Sequence, residues 1–183
     1  MNAADRLLAS TRELLWERGY VGTSPKAIQQ RAGVGQGSMY HHFDGKADLA
    51  VMAIQQTAAE MHVAVAALLN KPGSARDRVT AYLRRERDVL KGCPIGRLTQ
   101  DPEVLADDNL REPVDDTLGW IRTRLAEVLA EGKEAGEFAA DFDPEAVAAT
   151  LLAVLQGGYV LARAANSLEP YELAINGALS LIK

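Results

Sequence analysis

Residues 24–43 read SPKAIQQRAGVGQGSMYHHF, and the spacing inside this stretch decides the fold. Ser24 before Pro25 is a helix start, because the hydroxyl accepts from an early backbone N–H and proline suits the first helical position, where its missing donor costs nothing. The helix it opens is predicted to run to Arg31. Ala32-Gly33-Val34-Gly35 then makes a tight turn, and Gln36 to His42 makes a second short helix. Two short helices across a glycine turn have the spacing of a helix-turn-helix, whose second helix enters the major groove of a duplex.

Working outward, helical punctuation recurs along the chain. Ala4 to Arg18 sets Leu7, Leu8, Thr11, Leu14 and Leu15 on one stripe, and Gly19 ends it. Lys46 to about Leu69 is a long helix, stopped by Asn70-Lys71-Pro72-Gly73. Ser74 caps a helix predicted to reach Lys91, where Gly92-Cys93-Pro94 breaks it. Asn109 to Glu134 is helical provided Pro113 lies in the first turn. Asp143-Pro144-Glu145 opens another helix with a cap, a proline and an acidic first turn. Pro170 and Ile182 bracket the last. No alternating run rich in Val, Ile or Tyr appears, so the expected fold is all-α with about nine helices. A three-helix head over residues 1–46 carries the helix-turn-helix, and a helical body covers residues 47–183.

Composition agrees. The chain is 48% hydrophobic but only 5% aromatic, so its core is Ala, Leu and Val, which favours helices. Charge is uneven. Residues 1–46 carry six basic side chains against four acidic, a net of +2, while the rest carries 14 against 21, a net of −7. An acidic body with a mildly basic head suits approach to a polyanion by one end. Charges at Asp5, Arg6, Arg12 and Glu13 leave no secretory apolar segment. The 17-residue uncharged run 146–162 is short for a bilayer and reads as an interface helix. A single cysteine, Cys93, excludes an internal disulfide. These features predict a cytoplasmic protein with no membrane partner.

Residue chemistry then assigns roles on the head. Gln36 reads adenine in two-point fashion, Ser38 bonds a base or phosphate, and Gly37 lets the backbone come close. Tyr40, His41, His42 and Lys46 supply hydroxyl, imidazole and ammonium donors to phosphates, which position without reading sequence. The adjacent histidines point about 100° apart on a helix and do not chelate together, so no metal site is expected. No cofactor motif is present: there is no P-loop, G-x-S-x-G, H-E-x-x-H or C-x-x-C. An enzyme is thereby disfavoured. A small all-α enzyme using a Cys93 thiol remains the distant alternative, and nothing in the sequence orients that thiol.

The stretch ERGYVGTSPKAIQQRAGVGQGSMYHHFDGKADL, residues 17–49, resembles the N-terminal signature of the tetracycline-repressor (TetR) family of bacterial regulators. The glycine-aromatic pair Gly19-Tyr20, the Thr-Ser start of the second helix, Ala32-Gly33-Val34, Gly37-Ser38, Tyr40, Phe43 and Lys46 carry the likeness. It implies that Gln36, Ser38, Tyr40, His42 and Lys46 fall where that family contacts DNA. Lys26 matches a position that reaches a base or phosphate. Pro25 departs from the pattern, standing where many members have Thr or another polar residue, and it removes a backbone donor.

The resemblance also implies a homodimer, since one head reads few base pairs and two copies on a palindrome supply specific affinity. Leu151, Leu155, Gly158, Leu161 and Ala162, with Leu173, Gly177 and Leu181, form faces on the last two helices that suit a four-helix bundle across a twofold axis. Ordinary core packing is the competing reading of the same stripes. The other helices are expected to enclose a pocket for a small, largely apolar effector. Tyr82, Cys93 and Trp120 are its candidate lining, with plain core as the alternative for each. Residues 92–101, GCPIGRLTQD, resemble a segment in a branch of the family associated with drug-resistance regulation. A redox response through Cys93 is the alternative trigger. In the expected mechanism, effector binding swings the fourth helix and the heads lose their match to successive grooves; activator and repressor are not distinguished.

Overall fold

The computed structural model describes residues 2–182. Among them are nine α-helices and one short 3-10 helix, with no strand. The helices are α1 (Ala3–Arg18), α2 (Pro25–Ala32), α3 (Gln36–His42), α4 (Lys46–Leu69), α5 (Ala75–Arg84), α6 (Pro102–Ala106), α7 (Asp108–Glu134), α8 (Pro144–Ala165) and α9 (Glu169–Ser180). The 3-10 helix is Gly96–Gln100.

Local chemistry sets most of these boundaries. Asn2 and Asp5 form a reciprocal capping box at α1. Ser24 Oγ accepts from Ala27 N–H at 3.2 Å to start α2, and Gly33, at φ 63° and ψ 40°, closes it in the left-handed conformation. Asp143 accepts the N–H groups of Glu145 and Ala146 at 3.0 and 3.1 Å to start α8.

Two expectations need correction. Helix α5 stops at Arg84, not at Lys91, because the Arg87 guanidinium folds back and donates to the carbonyls of Tyr82, Leu83 and Arg85 at 2.6–2.9 Å. Those carbonyls are the orphan acceptors of a helix end, so a side chain from beyond the end satisfies them. Pro113 is the sixth residue of α7, past the first turn, and the helix continues through it without one backbone hydrogen bond.

The chain groups into two compact units. The first comprises Met1–Glu60 and Cys93–Thr117, the second Met61–Gly92 and Leu118–Lys183. Packing therefore follows a different line from the functional division expected at residue 46. In the first unit, Leu7, Leu14, Ile28, Ala32, Met39, Phe43 and Leu49 make one core from α1 to the start of α4. Arg12 ties α1 further along α4, donating to Thr57 Oγ1 at 3.1 Å and pairing with Glu60.

In the second unit α8 lies along α9, close enough that a Cβ at Gly158 would sit 3.0 Å from the Tyr171 ring. Gly132 on α7 is equally tight, since a Cβ there would fall 2.5 Å from Ala75 and 2.6 Å from Phe138. By length and composition α8 is apolar enough to cross a membrane. One of its faces, carrying Leu151, Leu155, Gly158 and Ala162, is packed inside the unit.

Candidate nucleic-acid interface

Helices α2 and α3 bury one side each and present the other. Ile28, Ala32 and Met39 face the core, which leaves Lys26, Gln36, Gly37 and Tyr40 outward. Met39 is the pin for α3: it is fully buried, and Gln29 Nε2 donates to its sulfur at 3.5 Å. With α3 held by that side chain and by Phe43 at its end, the exposed residues have fixed directions.

Ser24, Pro25, Lys26, Gln29, Gln36 and Tyr40 line a shallow groove of about 460 Å³. It holds an ammonium, two amides, a hydroxyl and a phenol, and Tyr40 is 53% exposed. A Cβ at Gly37 would meet no atom of the chain within 4 Å, so the room beside α3 is open to an outside partner. Ser38 is half-buried behind these residues.

His41 and His42 are both exposed at the end of α3, their rings edge-on at 4.9 Å. Among the described residues no group of three His, Cys, Asp or Glu side chains is placed to hold a metal.

Lys46 differs from the other members of the set. Its side chain is only 21% exposed, and its Nζ lies 3.7 Å above the Tyr20 ring and 4.0 Å from Glu103. The ammonium is thus engaged within its own unit. Burial raises the Tyr20 pKa, and the carboxylates of Glu103, Asp107 and Asp101 raise it further. Sequence reading also missed a pair on α2: Arg31 donates to Glu17 at 2.7 Å, and this bond holds the Arg31 pKa above its ordinary value.

The other candidate residues fall into distinct settings. Tyr82 is core, with the guanidinium carbons of Arg87 and Arg85 at 5.2 and 5.7 Å from its ring centre. Cys93 is a free buried thiol whose sulfur accepts the Gly96 N–H at 3.2 Å. Trp120 is half-buried and packs against His62, ring centres 4.2 Å apart and planes tilted by 35°, while His62 Nε2 is buried without a partner. His62 was legible only as the third histidine. A cleft of about 490 Å³ between residues 83–89 and α9 is lined by none of Tyr82, Cys93 and Trp120. Of the eight residues expected at a dimer interface, Leu151, Leu155, Gly158 and Ala162 are buried within the chain's own unit. Leu161, Leu173, Gly177 and Leu181 are exposed.

Comparison with known proteins agrees with this geometry. The family described as bacterial regulatory proteins, tetR family, matches residues 7–53. The tetracyclin repressor-like C-terminal domain matches residues 76–178. The HTH-type transcriptional repressor NemR of Escherichia coli is 26% identical over 185 residues, covering 97% of this chain and 92% of NemR. The transcriptional regulator AcuR of Cereibacter sphaeroides is 30% identical over 155 residues, covering 80% of this chain and 69% of AcuR. The crystal structure of E. coli NemR in its reduced form superposes with a TM-score of 0.85 at 25% identity, covering 97% of this chain and 95% of that one. With the reading helices formed and both halves matched, the chain belongs to the TetR family of DNA-binding transcriptional regulators and is not an enzyme.

Proposed function

We propose that this chain is a cytoplasmic homodimeric repressor whose two α2–α3 heads read a palindromic operator, and that a small, largely apolar effector bound by the body releases it. The groove of Lys26, Gln36 and Tyr40 carries the reading. It sets a two-point hydrogen-bonding amide at the N-terminus of α3, where a helix-turn-helix meets base edges, between a cation and a phenol suited to the backbone. Gly37 admits close approach, Ser38 bonds a base or phosphate, and His41 and His42 add donors at the far end of α3. Lys46 reaches a phosphate by leaving Glu103.

The dimer rests on α8 and α9. Leu161, Leu173 and Leu181 are 54%, 72% and 60% exposed, and Val160 stands beside them at 52%. Gly157 and Gly177 have open space where a Cβ would stand. Large apolar side chains and small residues alternating on two antiparallel-suited helices are what a close-packed bundle with a second copy requires. The functional boundary is placed at residue 46, the end of the reading motif, with dimerisation and effector binding assigned to 47–183. By linkage, an effector that weakens operator binding binds the operator complex more weakly by the same factor.

The test is selection from a random duplex pool by the purified protein. A palindrome with half-site centres about 34–36 Å apart is the expected result. Enrichment of a single asymmetric half-site overturns the dimeric reading, and no enrichment overturns sequence-specific recognition. A panel of apolar compounds screened by thermal shift then seeks an effector, whose addition dissociates the selected duplex.

A further inference from the structure

We propose that Asp101 is a positioning residue for DNA reading: its carboxylate joins the turn that leads into α2 to the N-terminus of α6. Asp101 is a buried acid, 7% exposed, within the first unit. One oxygen, Oδ2, accepts the Val21 N–H at 2.9 Å. The other, Oδ1, accepts the N–H of Glu103 at 3.2 Å and, at 3.4 Å, that of Val104, which caps α6. A single side chain therefore serves two elements 80 residues apart in sequence.

The turn is built to receive it. Gly19 ends α1 at φ 75°, and a Cβ there would stand 2.9 Å from Asp101 Oδ2. Glycine is thus required twice, by its backbone and by the approach of the carboxylate. From Val21 the link runs on without slack. Thr23 is buried, its N–H donates to the Tyr20 carbonyl at 3.0 Å, and its hydroxyl donates to the Gly19 carbonyl at 2.6 Å. The next residue, Ser24, caps α2 and lines the recognition groove.

A second contact crosses the same junction. Lys46, the first residue of α4, holds its Nζ above Tyr20 and 4.0 Å from Glu103, so the start of α6 meets both the turn and α4. Removing the carboxylate leaves a backbone donor without its partner and uncaps α6, and a charge-assisted bond of this kind is among the stronger ones a turn has. The consequence is directional. The placement of Lys26 and Gln36 depends on where residues 101–104 sit, although Asp101 itself touches no DNA.

This inference rests on the operator reading above, and the experiment separates the two. Asp101→Ala, Asp101→Asn and a backbone amide-to-ester replacement at Val21, which deletes only the N–H, are made in the full chain. Three quantities are read: hydrogen exchange of residues 20–32, affinity for the selected duplex at two salt concentrations, and the thermal midpoint. The expected result for Asp101→Ala is exchange in α2 at least about tenfold faster and operator affinity at least about tenfold weaker well below the melting temperature. The salt slope stays unchanged, because no phosphate contact is lost. Asp101→Asn keeps one acceptor oxygen and turns an amide NH2 toward the other N–H donors, so it cannot hold Val21 and the start of α6 together and loses affinity as Asp101→Ala does. The ester reproduces the loss with Asp101 intact. Should Asp101→Ala fail to fold, the ester decides. Lower melting with wild-type operator affinity in either variant overturns the proposal, because the carboxylate is then a structural bond only. If the wild type enriches no duplex, the operator reading fails by itself. The exchange data then still decide whether Asp101 governs the order of α2, and unchanged exchange overturns that as well.

Discussion

Two faces of this chain are open, and they are opposites. The α2–α3 face shows Lys26, Gln36 and Tyr40 over a buried stripe of Ile28, Ala32 and Met39. The α8–α9 face shows Val160, Leu161, Leu173 and Leu181, although α8 already buries Leu151, Leu155 and Ala162 on its other side. A helix apolar on one stripe has finished its packing, whereas one apolar all round has not. The first face therefore suits a hydrated, charged partner, and the second suits another apolar surface. Both belong to one DNA-binding regulator, and the polar face is the one that fits its DNA.

The sharpest way to break this comparison is to charge the apolar face. The double variant Leu161→Glu, Leu173→Glu alters two exposed positions, so the monomer keeps its core. Sedimentation should show a monomer, and operator affinity should fall about 10³-fold or more, to the level of non-specific binding. A dimer that survives both charges places the interface elsewhere. Leu151→Ala probes the buried side of the same helix. It should lower stability by about 2–5 kcal/mol in a denaturant titration while leaving the folded protein dimeric. If it dissociates the dimer without destabilising the fold, the two faces of α8 have been assigned the wrong way round.

These two sides of α8 also show what the sequence could say. Periodicity groups residues by face, so Leu151, Leu155, Leu161 and Ala162 were legible as apolar stripes. Whether a stripe meets its own chain or another copy depends on where α9 lies, which no local pattern encodes. Elsewhere local signals sufficed. Ser24-Pro25, Gly33, Gly19 and Asp143-Pro144 are read from their neighbours alone, and α3 and α4 begin and end where the spacing placed them. The failures are tertiary. Arg87 ends α5 from beyond its last residue. Helix α6, five residues long, carries too little pattern to read, and Asp101 matters through Val21, far upstream. Lys46 looked like a free phosphate donor because Glu103, its neighbour in space, is distant in sequence.

On the polar face, Gln36→Ala comes next in size. Truncating the two-point amide should cost about 1–3 kcal/mol of discrimination at one base pair of each half-site, seen as relaxed preference there in a repeat selection. Uniform weakening over all sequences would move Gln36 from base reading to backbone contact.

The smallest effects test whether Lys26 and Lys46 are alike. Both are cations near the reading helices, but Lys26 is exposed in the groove and Lys46 is held between Tyr20 and Glu103. A cation that neutralises one phosphate contributes about one unit to the slope of log affinity against log salt. Lys26→Ala should lower the slope by that amount. Lys46→Ala should lower it by less, because its ammonium gives up an existing carboxylate to reach the duplex. The pair is long, at 4.0 Å, and open to water on the Glu103 side, so it is worth about 1 kcal/mol at most and Glu103 is a weak competitor. Equal slopes for the two variants would mean that DNA takes Lys46 from Glu103 outright. The double variant Glu103→Gln, Lys46→Ala then decides. If Glu103→Gln tightens operator binding only while Lys46 is present, the carboxylate and the phosphate compete for the same ammonium.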